Sequence, residues 1–104
     1  MRIRILDQAK LDLTDGFEFY EKREGNLGHY FLDTLYSDID SLAFYGGIHP
    51  VRHGFHWTLS KRFPYAIHYS IAEDIVSVHA VLDCRSDPES IQKRMESERT
   101  RRWT

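Results

Sequence analysis

The chain has one cysteine, Cys84, three prolines and two methionines among its 104 residues. A single thiol closes no intramolecular disulfide and builds no thiolate zinc cage, and a lone cysteine fits a reducing compartment, so a cytoplasmic location is expected. Long apolar runs are missing as well. None approaches the roughly 20 residues that span a bilayer, and the opening Met1-Arg2-Ile3-Arg4-Ile5-Leu6 has no apolar segment of signal-peptide length. Neither secretion nor membrane insertion is expected. There is no strong excess of one charge either: 14 Lys and Arg face 16 Asp and Glu, for a net charge of -2. Such a chain has no global basic field to draw in a polyanion. The patterns GxGxxG, GxxxxGK[ST], GxSxG and HExxH are all absent, which removes the frameworks of nucleotide cradling, serine hydrolysis and helical zinc proteolysis.

What remains is the composition of an ordered domain, 41% hydrophobic and 13% aromatic, with enough apolar side chains to offset the entropy of ordering. No Pro/Gly/Ser linker interrupts it, so residues 1–104 are expected to form one domain with one core. Charge is uneven along it. Residues 1–50 carry 5 basic and 9 acidic groups, while residues 51–104 carry 9 and 7, much of the later excess lying in Lys93, Arg94, Arg99, Arg101 and Arg102.

Hydrophobic periodicity sets the element order. Residues 2–6 alternate with period two and predict a short strand. Ala9, Leu13, Phe17 and Tyr20 recur at helical spacing and predict an amphipathic helix from about Ala9 to Glu24, stopped by Gly25. Asn26 is the expected N-cap of a second helix whose apolar face is Leu27, Phe31, Leu35, Ile39 and Leu42, ending at Gly46-Gly47. The period then changes to two. Strands are predicted over 51–59, 65–71 and 75–82, the last two joined by a tight turn at Glu73-Asp74. A two-residue turn would pair Ala72 with Ile75 and, further out, Ser70 with Ser77 and His68 with His79. Tyr65, Ile67, Tyr69, Ile71, Val76, Val78, Ala80 and Leu82 would then form a core face, and the polar face opposite would stay open. Asp87-Pro88 opens a C-terminal helix with only Ile91 and Met95 to bury, and hence weak anchorage. The expected fold is α+β, in the order β-α-α-β-β-β-α, with a helical hairpin packed on one face of a mostly antiparallel four-stranded sheet.

Six histidines raise the question of metal. His53 and His56 lie three apart on a predicted strand and so point to opposite faces, and no metal site or cofactor is expected. Cys84 has no histidine near it in sequence to activate it.

Two segments are more specific: Arg62-Phe63-Pro64-Tyr65-Ala66-Ile67-His68-Tyr69 on one strand, and Ala80-Val81-Leu82-Asp83-Cys84-Arg85-Ser86-Asp87-Pro88 at the end of another. With the upstream hairpin carrying Phe17-Glu18-Phe19-Tyr20-Glu21 and Leu27-Gly28, these resemble the RelE/ParE superfamily of bacterial type II toxins over roughly residues 9–88. The resemblance implies a compact α+β toxin in the cytoplasm, neutralised by a short cognate antitoxin, as a homodimer or in a toxin–antitoxin hetero-oligomer, and serving growth arrest and plasmid stabilisation. One branch of the superfamily cleaves messenger RNA on the ribosome and another poisons DNA gyrase. The positions matching the ribonuclease branch are His56, Thr58, Ala66, Arg85 and Ile91, of which only Arg85 keeps the expected type. Scissile-phosphate chemistry needs cations and a proton carrier, so the gyrase-poisoning branch is the expected one. The alternatives are an inactive antitoxin-binding relic or a ribonuclease built on Arg85 with His56, His68 and His79, all three histidines then sharing one sheet face. In the favoured reading Arg52, Arg62, Arg85, Ile91 and Met95 bind partners, the antitoxin helix lying beside the C-terminal helix.

Overall fold

The computed structural model describes residues 1–102. In chain order these form β1 (Arg2–Ile5), α1 (Asp7–Arg23), α2 (Leu27–Asp40), the single turn α3 (Leu42–Tyr45), β2 (Val51–Arg52), β3 (Phe55–Leu59), β4 (Tyr65–Ala72), β5 (Ile75–Asp83) and α4 (Pro88–Arg102). The strands make one mixed sheet in the order β1-β5-β4-β3-β2, with β1 parallel to β5 and the other pairs antiparallel. The sheet therefore has five strands, one more than expected. His53 and Gly54 both adopt positive φ, 57° and 87°, which folds the predicted strand 51–59 back on itself and pairs Arg52 with Phe55. Glu73 and Asp74 take the same left-handed conformation in the β4–β5 turn.

The helical hairpin packs on one sheet face. Ala9, Leu13 and Tyr20 of α1 and Phe31, Leu35 and Ile39 of α2 bury against Tyr65, Ile67, Tyr69, Val76, Val78 and Val81. Asn26 sits at the head of α2 in the left-handed region and makes no side-chain cap. The Glu21 carboxylate accepts the Asn26 and Gly28 N–H groups in its place, and these bonds hold its pKa below the usual carboxylate range. Gly28 is where the helices touch: a Cβ there would lie 2.6 Å from the Phe17 carbonyl oxygen. Gly28→Ala should therefore lower the melting temperature, at a cost of about 1–3 kcal/mol from overpacking, although alanine is ordinarily the better helix former. A thermal melt followed by circular dichroism checks this, and an unchanged or raised midpoint contradicts the close approach.

The register corrects the expected hairpin. Ala72 pairs with Ile75 and Ser70 with Ser77 as expected, but a bulge beside Tyr69 skips His79 in the register and sets His68 opposite Ala80. The slip moves every later side chain to the other face. Val81 enters the main core, while Ala80 and Leu82 turn away from it. They are not left in water, because α4 crosses that face and buries Ala80, Phe55 and Met95 in a second small core flanked by Leu82 and Ile91. The sheet thus lies between two helical layers, and the face expected to stay open is covered.

Candidate functional site

The residues singled out in the sequence fall on both sides of the sheet. Trp57 pairs with His68 and His56 with Tyr69, so alternation along β3 and β4 sends Trp57 and His68 towards α4 and His56 towards the helical hairpin. His56 stacks on the Tyr69 ring at 5.1 Å, and its Nδ1 lies 2.8 Å from the His49 carbonyl oxygen. His49 Nδ1 in turn lies 2.6 Å from the Tyr69 hydroxyl, which accepts the Gly47 N–H. His68 and His79 lie beneath α4, 4% and 5% exposed. His79 Nε2 is 2.9 Å from Ser70 Oγ, and the His79 ring tilts against Phe55. The expected common face for His56, His68 and His79 is therefore incorrect: His56 projects from the opposite side, and the other two are buried beneath α4.

Arg85 follows the end of β5, and its guanidinium is engaged. Its Nε donates to Asp83 Oδ1 at 3.0 Å and its Nη2 to Oδ2 at 2.8 Å, while the Arg85 backbone N–H also donates to Oδ1. Nη2 reaches the Tyr20 hydroxyl at 3.5 Å. The Arg85 hydrogen bonds hold the Asp83 carboxyl below its usual range, so both charges persist at neutral pH and compensate each other. Thr58 and Ala66, the other matching strand positions, carry no titratable group. Ile91 is half-buried in the second core.

The expected partner-binding residues divide in the same way. Arg52, Arg62 and Arg85 are exposed, with the Arg52 guanidinium 4.8 Å from the centre of the Trp57 ring. Met95 is fully buried and so is out of a partner's reach while α4 is docked. The weak anchorage expected of α4 also needs correcting. Arg94 donates through Nη1 and Nη2 to the two carboxylate oxygens of Asp12, both at 2.8 Å, through Nη2 to the His79 carbonyl and through Nε to Glu98. Arg101 closes on the same Glu98, whose side chain is 2% exposed. Asp12, Arg94 and Glu98 were missed in the sequence because a charged residue on a helix is ordinarily solvated. Their one available signal was the four-residue spacing of Arg94 and Glu98.

Between the N-terminal end of α4 and the sheet lies a cavity of about 240 Å³, lined by Arg52, His53, Trp57, Ala66, His68, Leu82, Cys84, Ser86, Pro88 and Ile91. The His68 side chain forms no hydrogen bond among the described residues, and its buried Nδ1 has no partner. Burial pushes its pKa down to about 4, with His53, Arg94 and Arg52 adding to the effect. The ring is neutral at pH 7. Cys84 is exposed at the rim, and its pKa is raised by partial burial and by Asp83, so it is no activated thiolate. Among the described residues no group of three or more His, Cys, Asp or Glu side chains is placed to hold a metal ion, and no helix is long and apolar enough to cross a membrane.

No protein-family model matches the chain, and no curated protein matches it in sequence. Its fold is similar to that of a solved chain described as "Chromosomal ParDE TA system from P. aeruginosa". The TM-score is 0.69 at 15% identity, over 78% of this chain and 92% of that one. At that identity the likeness shows a shared α+β fold.

Proposed function

We propose that this chain is the toxin of a bacterial type II toxin–antitoxin pair, held by a cognate antitoxin, and that it acts by binding and poisoning DNA gyrase rather than by cutting messenger RNA. The shared fold with a chain of a ParDE system supports the first part. One observation supports the second: Arg85, the cation that survives at the ribonuclease-matching positions, is bound bidentately to Asp83 while His68 and His79 are largely buried under α4. Cleaving RNA at a phosphate takes a base for the 2′-hydroxyl, an acid for the leaving oxygen and unspent positive charge for the phosphorane. A neutral, enclosed imidazole and a compensated guanidinium supply little of this.

Binding makes different demands. Arg52, Arg62 and Arg85 are exposed, and guanidinium groups held in a fixed orientation, as Arg85 is by Asp83, are effective contacts at protein interfaces. In this reading the antitoxin helix lies alongside α4, so deleting residues 88–104 should weaken antitoxin binding, with circular dichroism showing whether the remaining chain still folds. The test of the target is a supercoiling reaction with purified protein and gyrase. Lost supercoiling with accumulation of cleaved DNA is expected, with the effect reduced in Arg85→Ala; gyrase that works at full rate beside a molar excess of the protein contradicts the reading.

A further inference from the structure

The cavity at the head of α4 has a chemical bias that the proposed function leaves unused. Its walls are apolar where Trp57, Leu82 and Ile91 line it, its one permanent charge is the Arg52 cation, and His53, His68 and Ser86 can each donate or accept. Arg52 stacks on Trp57 and has no carboxylate partner among the described residues. His53 stands beside it. Pro88, at the N-terminal end of α4, lines the same space, and the Glu89 carboxylate lies in that first turn. His68 supplies the independent observation: a polar side chain 4% exposed, without a hydrogen bond, in the wall of a cavity. A buried imidazole normally finds a partner, because leaving one unsatisfied is costly. Of its two nitrogens Nδ1 is sealed. An unpaired acceptor is tolerated better than an unpaired N–H, which favours the Nε2–H tautomer, and Nε2 is the nitrogen not found sealed.

We infer that this cavity binds an apolar carboxylate: the hydrocarbon part lies between Trp57, Leu82 and Ile91, and the carboxylate accepts from His68 Nε2–H and pairs with the Arg52 guanidinium. About 240 Å³ is below the usual size of a drug-like pocket and suits one aromatic ring with a short acid. A carboxylate fits better than a phosphodiester chain, for the pocket is small and carries a single arginine, whereas a nucleic-acid backbone draws on many lysines and arginines. The same chemistry comes from two sources, a free aromatic acid or the C-terminal residue of a peptide. The inference does not depend on gyrase being the target, and the test below reads the pocket alone.

The full-length protein is titrated with phenylacetate, N-acetylphenylalanine, N-acetylphenylalaninamide and uridine 3′-monophosphate, following the Trp57 indole and His68 ring resonances by NMR. At least one acid should bind and move both resonances, the tighter of the two naming the source, and the amide should bind about tenfold or more weakly because it loses the charge-assisted contacts. Arg52→Gln, at an exposed position whose one side-chain contact is the Trp57 ring, should weaken the acids about tenfold and leave the amide's affinity unchanged. Silence from both acids at millimolar concentration, equal binding of acid and amide, an Arg52→Gln variant that keeps full affinity, or tighter binding of uridine 3′-monophosphate overturns the inference.

Discussion

Lowering the pH from 7 to 4 should remove about 3 kcal/mol of folding stability through His68 alone. Its pKa falls from the ordinary 6.5 to about 4 in the folded protein, and each unit of difference between folded and unfolded states is worth about 1.4 kcal/mol. The unfolded chain therefore takes up the proton first. The stabilising contribution is complete above pH 6.5, shrinks as the pH falls from there towards 4, and changes no further below that. The main cause is burial, with electrostatic effects of His53, Arg94 and Arg52 adding to it. His49, whose pKa burial also lowers, adds to the slope in the same direction. Urea unfolding at several pH values, in the wild type and in His68→Leu, separates the contributions. The wild type should lose stability across this window more steeply than the variant, by about 3 kcal/mol at pH 4. Parallel curves contradict the sealed histidine.

Asp12→Ala should cost about 3 kcal/mol and loosen α4. The Asp12 carboxylate accepts the Val81 N–H at 3.0 Å and two hydrogen bonds from Arg94, so its removal strands a guanidinium and a strand N–H together. Burial nonetheless pushes the Asp12 carboxyl above its ordinary range, even with Arg94 beside it. The intact pair therefore adds little net stability, and its weight appears only when one partner is removed. The double variant Asp12→Ala/Arg94→Met should accordingly recover part of the loss. Denaturation of the two single variants and the double gives the coupling, and hydrogen exchange should show α4 amides opening earlier in Asp12→Ala. A loss under about 1 kcal/mol, the usual scale of a surface ion pair, would show that α4 is held by Met95 and Ile91 alone.

Much of the fold was legible from residue periodicity. The two long helices, the β4–β5 turn and the start of α4 follow from Ala9-Leu13-Phe17-Tyr20, from Leu27 to Leu42, from Glu73-Asp74 and from Asp87-Pro88. Two local events escaped it. The bulge that skips His79 in the register has no glycine or proline to announce it, yet it exchanges the faces of Ala80, Val81 and Leu82 and so turns an expected open polar surface into the bed of α4. The hairpin at His53-Gly54 interrupts an unbroken alternation from Val51 to Leu59 and was hidden by it. The site suffered from both. With Ala80, Leu82, Phe55 and Trp57 turned to one side, α4 buries more than Ile91 and Met95 indicate, and Arg94, which reads in sequence as part of a solvated basic tail, becomes the link between Asp12, Glu98 and the His79 carbonyl.

That the protein binds its target rather than cutting RNA is tested most directly by mapping messenger-RNA ends in a ribosome-programmed translation reaction containing the purified wild type or Arg85→Ala. Compensation of Arg85 by Asp83 and enclosure of His68 and His79 predict intact message with both proteins. Codon-dependent cuts that appear with the wild type and vanish with Arg85→Ala would contradict that account and make Arg85 part of a catalytic site.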